Sequence, residues 1–100
     1  MYCVVFTTHK SGRVQTGSEI QKAFADYLVN HPDHPAVFVH NGGPTLSDDL
    51  QAPLGTLLIV EAPSLEAARA FVADSPYGKE DVFAECAVRP LDWRTGAPGS

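Results

Sequence analysis

Apolar residues occupy both alternate faces of the opening stretch YCVVFT, so the pattern predicts a strand covered on two sides. Residues 10–17, KSGRVQTG, break that pattern and read as a loop. Ser18 and Gln21 then form a capping box, in which Ser18 accepts from the amide three residues on and Gln21 reaches back. Ile20, Ala23, Phe24, Tyr27 and Leu28 follow helical spacing, and Glu19, Lys22 and Asp26 take the opposite face. Asn30 and the following HPDHP end the helix, because proline and the residue before it disfavour further turns. A short second strand is expected over 36–39.

The stretch VFVHNGGPT, 37–45, raises a question: an apolar strand runs straight into a histidine, an asparagine, two glycines and a proline. That density predicts a turn built around something. TLLIVEA then reads as a third strand, Ser64 as the N-cap of a second helix, and Leu65, Ala68, Phe71 and Val72 as its buried face. DSPYGKED breaks that helix, and VFAECAVRPL supplies a fourth strand. The domain is read as 1–93, with 94–100 as a loose C-terminal tail.

The order is β-α-β-β-α-β, which places the chain in the α+β class as a ferredoxin-like fold with a four-stranded antiparallel sheet. Handedness rules set the first two strands parallel with the third between them. His9, His40, the glycine turn and the segment from Asp74 to Tyr77 are therefore expected to gather at one end of the sheet. Two helices cover only one sheet face, yet Val5, Leu57, Ile59 and Phe83 on one parity and Val4, Phe6, Leu58, Val60 and Val88 on the other are all apolar. A homodimer packed through the sheet face would cover the rest.

Composition narrows the partners. A chain of 100 residues with 44% hydrophobic content is one folded domain. A net charge of −5, with only seven Lys and Arg, argues against nucleic acid and anionic membrane surfaces. No apolar run approaches the roughly 20 residues of a membrane span, and MYCVVFTTHK lacks a basic leader, so the cytoplasm is the expected compartment. Cys3 and Cys86 sit among apolar neighbours and read as buried thiols, not as a disulfide framework or zinc site. Neither a Walker loop nor GxGxxG occurs, and no cofactor is expected.

The opening MYCVVFTTHK, the GGP at 42–44 and the long stretch GTLLIVEAPSLEAARAFVADSPYGKEDVFAECAVRPL together resemble the YCII-related proteins of the dimeric α+β barrel superfamily. The resemblance implies a small homodimeric cytoplasmic protein with a pocket in each protomer, serving chemistry on oxygenated ring compounds. One related branch removes chloride from a chlorinated hydroquinone. The family's proposed catalytic pair is a histidine near the start of helix one and an aspartate in a segment resembling DPY. Here the helix opens Ser18-Glu19-Ile20-Gln21-Lys22 without a histidine, and the later segment is Asp74-Ser75-Pro76-Tyr77, with an extra serine.

The catalytic candidates are therefore His40, His9 and Asp74. His40, directly before Asn41-Gly42-Gly43-Pro44, either transfers a proton or bonds a loop carbonyl. His9 either replaces the missing helix histidine, with Asp74, Asp48 or Asp49 fixing its tautomer, or is an exposed residue beside Lys10. The substrate-binding candidates are the Gly42 and Gly43 amides, the Ser75 hydroxyl and Tyr77; capping for Ser75 and packing for Tyr77 are the structural alternatives. No close ligand spacing supports a metal site. Glu61 and Glu85 look to Arg89 as an ion-pair partner, and His31 and His34 are expected as solvent-facing turn residues at the opposite end. The functional expectation is an acid–base enzyme of lyase or isomerase type acting on an oxygenated small molecule. The alternative is a non-catalytic small-molecule-binding or accessory dimer that has lost the helix-one histidine.

Overall fold

A computed structural model describes residues 1–99. The strands are β1 (Tyr2–His9), β2 (Phe38–Leu46), β3 (Pro53–Glu61) and β4 (Phe83–Leu91); the helices are α1 (Glu19–Val29), α2 (Leu65–Ala73) and the single turn α3 (Pro76–Lys79). The tail read over 94–100 ends at Ser100, which lies outside the described residues. Among the described residues no helix is long and apolar enough to cross a membrane.

The sheet runs β2-β3-β1-β4 with every neighbouring pair antiparallel, so β1 and β2 are parallel with β3 between them, as the connection rules require. Ser18 caps α1 by accepting from the Gln21 amide, while the Gln21 side chain reaches back to the Gly17 amide at 2.7 Å. Ser64 caps α2 through the Ala67 amide. α2 stops at Asp74, and Ser75 restarts the chain as the cap of α3, accepting from the Gly78 amide at 3.1 Å.

Burial alternates cleanly along β1: Cys3, Val5, Thr7 and His9 are buried. The register pairs Val5 with Leu58 and Val88, and these pack with Phe24, Ala68, Phe71 and Val72 into the core. Val4 pairs with Ile59 and Phe6 with Leu57 on the helix-free face, where Phe6 is 50% and Leu57 42% exposed. Residue-number parity thus mis-sorts the two faces, because antiparallel pairing sets odd positions of β1 against even positions of β3 and β4.

The largest departure from the sequence pattern is β2. HNGGPT is not a turn but strand, and the reversal comes later, where the Ser47 amide donates to the Ala52 carbonyl at 2.9 Å. β2 is an edge strand, which tolerates Pro44, and a bulge at His40 shifts the register between Val39 and Asn41. Gly42 has φ of 155°, and a Cβ there would collide with the Leu57 carbonyl oxygen and the Leu58 side chain of β3. Its glycine is explained by strand packing and needs no ligand.

Candidate functional site

The expected gathering of His9, His40 and Asp74 does not occur. His9 ends β1 opposite Phe83, whereas His40 stands near the start of β2, in the bulge beside the Phe38–Glu61–Tyr2 register. Because β1 and β2 are parallel, the last residue of one and an early residue of the other lie at opposite ends of the sheet. The short-strand reading, which stopped β2 at Val39, had placed His40 at the wrong end.

His40 Nε2 lies 2.9 Å from Glu61 Oε1, and its ring meets Tyr2 and Trp93 edge to face at 5.5 and 5.7 Å. Glu61 therefore pairs with His40 and not with Arg89, and His40 bonds a carboxylate instead of a loop carbonyl. A carboxylate that fixes an imidazole is a common arrangement for proton transfer.

His9 is in a different state. The ring is 8% exposed and contacts Tyr77 edge to face at 4.9 Å. Both ring nitrogens lack hydrogen-bond partners; with Thr7 Oγ1 they are the buried side-chain polar atoms left unpaired among the described residues. Burial pushes the His9 imidazole below its usual range and favours the neutral ring. The exposed-residue reading fails, and so does the expected carboxylate partner. Asp74 instead meets His34 at 2.8 Å, and Asp49 accepts from Ser47 Oγ at 2.6 Å within the β2–β3 turn.

His31 and His34 also depart from expectation. The connection after α1 folds back along α2, so His31 lies 2.8 Å from both the Tyr27 and Val37 carbonyl oxygens, and both rings pack edge to face on Phe71. Asp74, His31 and His34 line an open groove of about 810 Å³ across α1, whose polar groups are largely engaged with each other or with backbone.

A hollow of about 530 Å³ between α1 and β2 has a different character. Phe24, Leu28 and Val39 give it apolar walls, Val39 to Pro44 run along one side, Gln21 stands at one end, and Thr56 and Tyr77 contribute to its lining. Tyr77 stacks on Phe24 with ring centroids 4.0 Å apart, and burial pushes its phenol up, so it remains a neutral hydroxyl. Gly43 has open space where a side chain would be. Ser75 does not take part: its hydroxyl donates to the Val72 carbonyl at 2.6 Å and accepts from the Gly78 amide.

Three stretches far apart in sequence thus wall one hollow: helix one from Gln21, the GGP of β2 and Tyr77 of α3. Among the described residues no three His, Cys, Asp or Glu side chains converge in a metal-holding group. Sequence reading missed Thr7, Gln21 and Thr56. The available signal was Thr7 and His9 together, two polar residues ending the otherwise apolar buried parity of β1.

Residues 1–92 match the YCII-related domain. No curated protein matches the chain. Among solved structures it is similar to the 5-chloro-2-hydroxyhydroquinone dehydrochlorinase TftG from Burkholderia phenoliruptrix AC1100, in complex with 2,5-dihydroxybenzoquinone. The two share 27% identity with a TM-score of 0.72, over 91% of this chain and 93% of that one.

Proposed function

The chain belongs to the YCII-related family, and on that footing we propose that it binds an oxygenated ring compound in the α1/β2 hollow and acts on it by acid–base chemistry. The observation that carries this reading is the convergence on that one hollow of Gln21, the GGP of β2 and Tyr77. A volume of about 530 Å³ and largely apolar walls suit a single ring, which needs only a few placed polar groups to orient it.

In this reading His40, on the β2 wall of the hollow, transfers the proton after its ring turns at the bulge from the helix-free face, where it packs with Tyr2, and Glu61, at 2.9 Å, takes the orienting role first assigned to Asp74. Loss of a ring hydroxyl proton to the imidazole turns the O–H pair into a carbonyl π bond. The displaced ring electrons take up a proton at another carbon, which completes isomerisation. Where that carbon carries a leaving group, loss of a second ring hydroxyl proton forms a second carbonyl and the shifted electrons expel the group with its bonding pair, which completes elimination. Gly43 leaves room for the ring at the wall, and Tyr77 offers a neutral hydroxyl to substrate oxygen.

The helix-free sheet face supports a homodimer, because Val4, Phe6, Leu57 and Ile59 form one apolar patch on a small protein. Sedimentation of wild type and Leu57→Glu tests this: a dimer converted to a monomer is expected, and a wild-type monomer removes the idea. The unpaired thiols of Cys3 and Cys86 fit a reducing, cytoplasmic setting.

The neighbour's ligand and substrate supply the assay. Amide resonances of Val39, Gly43 and Thr56 should shift when 2,5-dihydroxybenzoquinone is added. Chloride release from 5-chloro-2-hydroxyhydroquinone should fall by about 10² or more in His40→Gln. A second reading, a binding protein without turnover, is favoured by the start of α1, which carries no histidine and where Gln21 spends its side-chain oxygen on the Gly17 amide. Ligand binding at the hollow with no chloride release, and no dependence on His40, would establish that reading instead.

A further inference from the structure

Thr7 and His9 of β1, which carry the unpaired atoms, adjoin the hollow through Thr56 and Tyr77. Thr7 is the register partner of Thr56, and opposed side chains on one face of an antiparallel pair stand about 5 Å apart at Cβ. Thr56 belongs to the hollow's lining. His9, two residues further along the same buried face, touches the ring of Tyr77, which also belongs to it. Thr7 and His9 are thus each one side chain removed from the proposed ligand, with His9 also lining a separate cavity of about 500 Å³ under the 10–16 loop, and Thr7 Oγ1, His9 Nδ1 and His9 Nε2 are the fully buried side-chain polar atoms without partners among the described residues.

Unpaired buried polar groups cost stability, and three of them in one cluster call for a reason other than folding. The geometry points to an inner subsite formed by Thr7 and His9 behind Thr56 and Tyr77, which receives a neutral hydroxyl of the ligand. A hydroxyl is the complement of this set: it donates to the bare imidazole nitrogen and accepts from the threonine hydroxyl. Desolvation that keeps His9 neutral also disfavours a carboxylate or phosphate there, since the neighbouring cation, Lys10, is already paired with Asp81. Entry requires the Tyr77 ring to shift from Phe24, so the subsite forms on binding. The inference rests on the hollow being the ligand site, and it adds a substrate class: neutral phenols and enols over ring acids.

The test compares hydroquinone with its dimethyl ether, 1,4-dimethoxybenzene, under anaerobic conditions, following the amides of the hollow and the His9 imidazole nitrogens by NMR. Hydroquinone should move the His9 nitrogens, and Thr7→Val should weaken it about tenfold while Thr7→Ser restores it. The dimethyl ether, which cannot donate, should bind more weakly and respond to neither variant. If hydroquinone shifts the amides of the hollow but leaves His9 and the Thr7 variants without effect, the subsite is wrong and the hollow stands. If neither probe shifts the amides of the hollow, the proposed ligand site fails and the subsite with it.

Discussion

The two ends of β1 hold histidines in opposite conditions. At the Tyr2 end, His40 reaches across from the β2 bulge to Glu61 and packs among Tyr2 and Trp93, with its polar demand met at a half-exposed rim. At the far end, His9 is nearly buried, held by Tyr77, and lacks a partner at either nitrogen, as does nearby Thr7. The first arrangement is a pair in which one group positions the other and little stability is at stake. The second lowers stability and persists although an apolar residue would pack there at no such cost. Residues kept against folding stability are those most readily assigned to binding or chemistry.

The contrast can be broken most forcefully at Gly55, whose added Cβ would collide with the Thr7 carbonyl oxygen. Gly55→Ala should cost about 3 kcal/mol in chemical denaturation, and a near-neutral result would show that β1 and β3 are looser at the His9 end than described. His9→Leu should do the reverse, raising stability by about 1–2 kcal/mol at neutral pH while abolishing the hydroquinone-induced shifts. A loss of stability would mean that the imidazole nitrogens have partners.

The same residue sets a pH dependence. Burial depresses the folded pKa of His9, so as pH falls the unfolded chain takes up the proton first. The stabilising difference is complete above the unfolded value of about 6.5 and is lost below it, with a slope of at most about 1.4 kcal/mol per pH unit for this group. Denaturation midpoints of wild type should drop between pH 7 and 5 more steeply than those of His9→Leu; parallel curves would show that His9 titrates alike in both states. The smallest effect is expected at the other end: His40→Gln should change stability by under about 1 kcal/mol even where turnover collapses. A larger loss would make the His40–Glu61 pair structural.

Most of the architecture was legible because each helix carries its own cap and stripe, and each paired strand its own apolar run. Ser18, Ser64 and the Ile20-to-Leu28 spacing specify local structure that packing does not override. The site was less legible for one physical reason. Glycine and proline usually announce a reversal, but on an edge strand proline loses no ladder bond and glycine at 42 is what close contact with Leu58 requires. Reading HNGGPT as a turn shortened β2, displaced His40 to the other end of the sheet and suggested a three-residue site that does not assemble. Asp74 sits at the end of α2 as expected but takes another partner, since nothing in NHPDHP signals that the chain folds back onto α2 and brings His34 to it.

The same irregular β2 bears on how copies of the chain can meet in a crowded solution. A regular edge strand invites the edge of another molecule, and such pairing leaves a fresh edge for the next, so growth need not stop. The bulge at His40 and the missing amide hydrogen of Pro44 interrupt that invitation along the middle of β2. The proposed association through the apolar face would instead consume the surface that drives it. The irregular edge therefore guards against open-ended fibre-like growth and leaves a self-terminating route to assembly.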